Sequence, residues 1–307
     1  MGDPAGIGPE VCVKAGLDAA VLAVSEPLLV GSREVFLQAS RLAGISAGLE
    51  IEDPVGRGGF ACGEISADAG LAAYRSLMRA IDLALLGEVD AVVTAPINKA
   101  ALHRAGIFEN GHTEILAKAT GVTNYALMLT SQRLSCIFVT CHQSLASVAE
   151  SLTRRRVVEA AELANQALTR LLGRRPRLGM LALNPHAGEE GIFGREEIEI
   201  LLPAASDARA SGLDISDPIP ADTAFTPRAI GRYDGYLCMY HDQGGIPFKM
   251  ISFDDGVNVT LGLPIIRTSV DHGTAFDIAW QGQADPSSMI AAALLAARLA
   301  PGSVSNG

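Results

Sequence analysis

The stretch Gly235–Gly245, GYLCMYHDQGG, decides the fold. It reads as a strand through Tyr240, and His241 stands where the strand gives way. The same order recurs in Ile137–Ser144, IFVTCHQS, which ends a strand near His142. It recurs again in Leu181–Glu189, LALNPHAGE, around His186. Three strands therefore each deliver a histidine at their C-terminal edge, the edge at which open α/β sheets bind ligands. Any one of these residues could be an ordinary hydrogen-bonded loop or core histidine. Their repeated position points to a shared site. Three imidazoles suit a divalent metal with an open coordination position, as in a catalytic rather than a structural centre. Asp242, next to His241, can orient a ligating ring, with a plain turn residue as the alternative.

Outward from these strands, helical and strand patterns alternate. Pro9 to about Ala23 predicts a helix with Pro in its first turn. Pro27–Val30 is a short strand, and Ser32 is placed to cap a helix through Leu37. Residues 45–68, rich in Gly, Pro and Glu, read as an irregular excursion. Ala69–Leu86 predicts a long amphipathic helix, Val89–Thr94 a buried strand, and Asn98 the start of another helix. Ala126–Leu129 and Leu134–Thr140 are spaced as a hairpin. Further on, Arg154–Leu172 is a helix, Arg177–Leu183 a strand and Arg195–Arg209 a helix. Pro286–Ala300 is a helix capped by Asp285, and a polar Gly/Ser tail follows. This alternation predicts a doubly wound α/β architecture.

Composition narrows the function. The chain has 307 residues, and 24 Lys+Arg against 34 Asp+Glu give a net charge of −10. An acidic protein lacks the basic stripe of a nucleic-acid binder. With 49% hydrophobic residues there is material for a sizeable core, and no apolar run long enough for a membrane span. The opening MGDPAGIGPE has no signal-peptide pattern, and five cysteines without a CxxC pair read as reduced thiols. The expectation is a cytoplasmic protein. The 32 glycines imply many tight loops or close backbone approaches.

A second constellation is cationic. Arg267 follows the apolar run GVNVTLGLPII, and a buried Arg needs an anionic partner. A guanidinium fork suits a phosphate or carboxylate, with Lys249 as a further point charge and Asn258 as a hydrogen-bonding group. An internal salt bridge is the alternative. Gly111–Glu114, GHTE, opens a helix whose free N–H groups could hold an anion, although Thr113 could equally be an ordinary N-cap. Asp271–Ala279, DHGTAFDIA, is a Gly-containing loop running into a helical pattern. GxxxxGK[ST], GxSxG and HExxH are all absent, and GDPAGIGPE lacks the spacing of a dinucleotide fingerprint. The residues thus point to a metal-dependent enzyme acting on a small anionic substrate. They leave hydrolase, lyase and dehydrogenase open.

Seven segments carry a family resemblance: GDPAGIGPE (2–10), TAPINKAALHRAGI (94–107), GHTE, LNPHAGEEGIFGREE (183–197), PADTAF (220–225), MYHDQGGIPFK (239–249) and GVNVTLGLPIIRTSVDHGTAFDIA (256–279). Together they resemble the PdxA family of NAD-dependent 4-hydroxythreonine-4-phosphate dehydrogenases. GDPAGIGPE and HGTAFDIAWQGQADP are also similar to the wider isocitrate/isopropylmalate dehydrogenase group.

The resemblance implies a two-domain α/β fold of that group, with mixed sheets flanked by helices and the active site in the interdomain cleft. It implies an NAD-side domain of residues 1–118 plus 260–307, and a metal and dimerisation domain of 119–259. His142, His186 and His241 would bind the metal, with one histidine of the set coming from the partner subunit of a homodimer that shares its active site. His112, Thr113, Lys249, Asn258 and Arg267 would bind substrate. Gly273, Thr274, Ala275 and Asp277 would bind NAD. Lys249 and Asp242 are the candidates for proton transfer. Three imidazoles favour Zn, with Co, Ni, Mg or Mn as further possibilities. The implied activity is oxidation with decarboxylation of 4-hydroxythreonine 4-phosphate in pyridoxal phosphate biosynthesis.

GGIPFK resembles a branch acting on D-threonate or D-erythronate 4-phosphate. A terephthalate cis-dihydrodiol branch is the other alternative, and Asn258 and Arg267 favour a phosphorylated substrate over it. A non-catalytic metabolite-binding protein is the remote one. In the family a strand precedes GDPAGIGP, whereas this sequence opens at Met1. Trp280 stands where the family loop has a glycine.

Overall fold

The computed structural model describes residues 1–45, 48–56, 58–109, 111–253 and 255–301. The polar tail expected after Ala300 lies almost wholly outside them. The first part of the chain carries α1 (Gly8–Gly16), α2 (Ala19–Leu22), β1 (Leu28–Val30), α3 (Arg33–Leu42), β2 (Glu50–Glu52), α4 (Ala67–Leu85), β3 (Ala91–Thr94), α5 (Lys99–Arg104) and α6 (His112–Thr120). Then come β4 (Ala126–Thr130), β5 (Ser135–Phe138), α7 (Val148–Ser151), α8 (Arg154–Leu172) and β6 (Arg177–Met180). They are followed by α9 (Leu202–Ala210), β7 (Asp214–Ile215), α10 (Ala221–Ala224), β8 (Gly235–Cys238), α11 (His241–Ser252) and β9 (Val257–Leu261). β10 (Ile266–Val270) and α12 (Ser287–Leu299) close the chain. None of the described helices is long and apolar enough to cross a membrane.

Two compact units emerge, Met1–Thr123 with the segment from Leu263 onward, and Asn124–Gly262. In the second unit the strand order is β9-β4-β5-β8-β6-β7. β4 runs antiparallel to both β9 and β5, and β5, β8, β6 and β7 are parallel. The sheet is therefore mixed, and the hairpin read from the sequence is its turning point. α8 spans the residues that periodicity predicts. The Thr153 hydroxyl accepts the Arg156 N–H at its start, and Gly173, at φ +66°, ends it. Its buried face is Val157, Ala160, Ala161, Ala164 and Leu168. α11 lies on the sheet through Gly244, where a Cβ would stand 2.5 Å from Cys238 Sγ. That contact requires the first glycine of HDQGG. All five cysteines are free thiols.

In the first unit β1 pairs with β2 and β3 with β10, both parallel. The core gathers Ile7, Val11, Leu29, Phe36, Val270 and Met289. The helix expected over 9–23 is broken. Asp18 accepts the N–H groups of Ala20 and Val21 and starts α2 as a separate turn. Ser32 is positioned as N-cap of α3, yet its hydroxyl donates to Gly56 O, and it is Asp53 that accepts the Arg33 N–H at 3.0 Å. The helix expected after DHGTAF is absent from residues 271–281, which form turns. Positive φ at Ala275 (+42°) and Trp280 (+60°) breaks the helical path there.

A cavity of about 640 Å³ runs along β1 and β3, lined by Met1, Val30, Leu77, Val92, Thr94 and Ala296 among others. At its edge the Met1 ammonium donates to Val30 O at 2.9 Å, and Asp3 N–H donates to Pro96 O at 2.9 Å.

Candidate functional site

The parallel order β5-β8-β6 sets three C-terminal strand ends side by side. The loops that leave them carry His142, His241 and His186. His241 is the first residue of α11. Its Nδ1 lies 2.7 Å from Asp242 Oδ1. A carboxylate only accepts, so this pairing places the proton on Nδ1 and leaves Nε2 as the ligating lone pair. The ring stacks on Phe138 at 5.4 Å between centroids and faces the His142 ring at 5.9 Å and 37°. An anchored imidazole beside a second imidazole fits a divalent cation of borderline softness.

His186 is placed differently. It is exposed and lies against Phe193, with centroids 6.0 Å apart. Residues 186–190 all have positive φ, a left-handed path that carries the ring there. Among the described residues no group of three His, Cys, Asp or Glu is arranged to hold a metal. One chain thus brings together two of the three predicted ligands. The other predicted residues of this unit are dispersed. Asp242 is exposed beside His241. Lys249 sits in the last turn of α11, exposed. It shares its outer surface with Ile246, Met250 and Phe253, which are 59%, 83% and 75% exposed. Asn258, half-buried on β9, pairs opposite Leu129 of β4.

In the first unit, Arg267 on β10 is 2% exposed. Its Nε and Nη2 donate to Thr94 Oγ1 at 3.2 and 2.7 Å. Burial lowers the guanidinium pKa far from its ordinary range, to about 9, against the opposing pull of Glu114. The group therefore stays cationic at neutral pH in surroundings that disfavour charge. His112 opens α6 and is half-buried by surface. Protein packed around it pushes its imidazole pKa well below 6.5, first by desolvation and then by the Arg267 charge. The ring is neutral at pH 7. Gly111, not Thr113, is the N-cap of α6, and no side chain caps it. Thr113 lies inside the first turn, where backbone N–H groups have no intrahelical acceptor. A buried cation, a neutral imidazole and a helix N-terminus are together a receptor for an anion.

The loop bearing Gly273, Thr274, Ala275 and Asp277 packs on the first motif of the chain. Thr274 O accepts the Ile7 N–H at 3.0 Å, and a Cβ on Gly6 would stand 2.7 Å from the same oxygen. Trp280 Nε1 donates to Pro4 O at 2.9 Å. A Cβ on Gly273 would meet nothing within 4 Å, so that backbone is open to close approach. Asp277 is exposed, and its carbonyl accepts from Gln281 Nε2. Sequence reasoning gave no role to Thr94, the partner of Arg267. That pairing spans 173 positions and exists only through the β3–β10 register.

Comparison with known proteins closes the assignment. A family model described as pyridoxal phosphate biosynthetic protein PdxA matches residues 23–296. The D-threonate 4-phosphate dehydrogenase of Salmonella typhimurium is 45% identical over 98% of this chain and 97% of its own length. The 4-hydroxythreonine-4-phosphate dehydrogenase of Geobacter metallireducens is 44% identical, over 98% and 94%. The crystal structure of the 4-hydroxythreonine-4-phosphate dehydrogenase from Klebsiella pneumoniae superposes with a TM-score of 0.84 at 41% identity, covering 97% of each chain. A β-decarboxylating dehydrogenase from Thermococcus kodakarensis covers 96% of this chain and 79% of its own at 17% identity and a TM-score of 0.52, a likeness of fold. The protein is an enzyme, an oxidoreductase acting on a CH–OH group. Within that class the chain belongs to the PdxA family.

Proposed function

We propose that the protein oxidises 4-hydroxythreonine 4-phosphate, with loss of CO₂, in a reaction that uses NAD and a divalent metal. The observation that carries this reading is the buried Arg267 beside neutral His112 at the N-terminus of α6. That group would grip the substrate phosphate: the guanidinium supplies a directional fork, the α6 amides supply further donors, and His112 supplies a hydrogen bond without adding charge. Thr113 is a further polar contact.

His142, His186 and His241 would hold the metal, with Asp242 fixing the His241 ring. When bound, the ion supplies Lewis acidity that favours loss of the hydroxyl proton and offsets the charge left by decarboxylation. The loop of Gly273, Thr274, Ala275 and Asp277 would hold NAD, the hydride acceptor. Lys249 and Asp242 are the groups able to carry the proton away. The exposed face of Ile246, Met250 and Phe253 on α11, with exposed Ile192 and Phe193, supports pairing with a second copy. That copy would complete the three-imidazole set which one chain does not gather.

A second reading is oxidation of D-threonate 4-phosphate, favoured by GGIPFK and by a relative of that name at 45% identity. The test is NADH formation by the zinc-loaded protein with 4-hydroxythreonine 4-phosphate, D-threonate 4-phosphate and a terephthalate cis-dihydrodiol, with and without chelator. Turnover of the first that the chelator stops is expected. Preference for the second establishes the alternative, and activity only on the unphosphorylated diol rejects the phosphate assignment.

A further inference from the structure

The loop that carries His186 is built around a carboxylate with no role so far. Glu197 is 2% exposed. Its Oε1 accepts the backbone N–H groups of both Leu183 and Asn184, each at 2.8 Å. Its Oε2 accepts from Asn184 Nδ2 at 2.9 Å, and that amide also donates to Glu196 Oε2 at 2.7 Å. The chain leaving β6 is thus seized at its first two free amides. Beyond them it enters a left-handed path: His186 (φ 52°, ψ 31°), Ala187 (53°, 40°), Gly188 (78°, −10°), Glu189 (42°, 66°) and Glu190 (55°, 23°). Four of these five residues have a Cβ that disfavours the conformation. Such a path persists only when its surroundings over-determine it, and it concentrates at functional sites.

The same carboxylate supplies that determination from the other side. A Cβ on Gly188 would stand 2.7 Å from Glu197 Oε2, so the loop backbone wraps against it. Glu197 also begins a single π-helical turn, Glu197–Leu201. A π turn changes the angular position of the side chains at its start relative to an α-helix, and such turns recur at functional sites.

We propose that Glu197 is a positioning residue: through Leu183 and Asn184 it locks the left-handed loop that presents His186. This rests on the reading of His186 as a metal ligand. A purely structural carboxylate would alter stability, whereas a positioning one also sets the geometry delivered to the ligand.

The full-length protein is compared with E197A, E197Q, E197D and H186A by calorimetric zinc titration, amide hydrogen exchange over residues 184–194, and thermal melting. H186A is expected to lose tight zinc binding. E197A is expected to lose about 10–100-fold in zinc affinity, the usual effect of removing an outer-shell partner, together with exchange protection in the loop. E197Q keeps an oxygen for both backbone N–H groups and is expected to recover most of both, which separates positioning from loss of charge. Wild-type zinc affinity in E197A, with H186A defective, overturns the proposal alone. Tight zinc binding by H186A overturns the metal reading and the proposal with it. Should E197A fail to fold, E197D decides, because its carboxylate is one methylene short of the Leu183 and Asn184 amides. Reduced zinc affinity and loop protection then support the proposal, and unchanged values overturn it.

Discussion

Replacing Arg267 with methionine is expected to separate binding from stability, in opposite directions. The guanidinium is buried, and its pKa falls from the ordinary guanidinium range to about 9. At 1.36 kcal/mol per unit, holding the charge there costs about 5 kcal/mol relative to water. Both values lie above 7, so the cost is present throughout the neutral range and is relieved only as pH rises through about 9. Two bonds to Thr94 Oγ1 return part of it, at about 1.5–3 kcal/mol for a charged donor. An anion in the site returns more. R267M removes the cost and the anion contact together. The expected result is a KM for the phosphorylated substrate raised about 10–150-fold, which is 1.5–3 kcal/mol at 1.4 kcal/mol per decade, with a smaller change in kcat. In urea at pH 7 the unliganded variant should be at least as stable as wild type. Inorganic phosphate should stabilise wild type and not R267M. A KM within twofold of wild type, together with a protein clearly less stable in urea, would show a structural cation and refute the reasoning.

Further perturbations test other parts of the first unit. Glu10, buried on α1, accepts from Lys14 Nζ at 2.7 Å and from Ala284 N–H at 2.9 Å; E10A strands the Ala284 N–H and leaves the Lys14 ammonium, still bonded to Gly282 O and Ala284 O, without its counter-charge, and should cost about 3–5 kcal/mol in urea unfolding, and a loss under 1 kcal/mol would contradict it. Burial raises the Asp3 carboxyl above its usual 3.8, so folding favours its protonated form and stability falls as pH rises through the shifted value. D3N should be the more stable protein at neutral pH, with the gap closing in acid, and parallel stability curves across pH would rule this out. W280G relieves a left-handed residue, worth about 1–2 kcal/mol, but removes the Nε1–Pro4 bond and ring packing, worth about 3–5 kcal/mol for a well-packed Trp; a lower Tm is therefore expected, and a raised Tm would reverse the ranking. A short apolar, β-forming extension fused ahead of Met1 should enter the 640 Å³ cavity. It would also turn a buried ammonium, whose pKa burial lowers, into a neutral amide. The thermal midpoint should rise, and an unchanged midpoint would mean the cavity does not accept a strand.

These tests fall where sequence reading and structure part company. α8 and the β4–β5 hairpin were legible because their signals are local: a Thr153 cap, a Gly173 stop and apolar residues at fixed spacing. The three strand-end histidines were legible for the same reason, and the parallel order of β5, β8 and β6 puts their loops along one edge. What periodicity could not carry is the conformation of the loops themselves. Nothing in PHAGEE announces four non-glycine residues at positive φ, because the cause is a carboxylate some ten positions later. Nor does GPE predict the break at Asp18. Arg267 and Lys249 show the same limit from another side. Arg267 follows an apolar run and strand β10 buries it, while Lys249, read with it as a further point charge, is exposed on α11 beside Ile246, Met250 and Phe253. An apolar neighbourhood in sequence predicts burial, but it does not say what does the burying. For Arg267 one partner is Thr94, 173 positions away. On α11 and at its end, Ile246, Met250 and Phe253 stand 59%, 83% and 75% exposed. The incomplete metal set and the uncovered face therefore have one proposed answer, a second copy that brings the missing imidazole with the surface that covers α11. Charge reversal at Lys249 tests the two together: if that face is the interface, K249E should weaken self-association and zinc retention in step, and loss of either one alone would separate them.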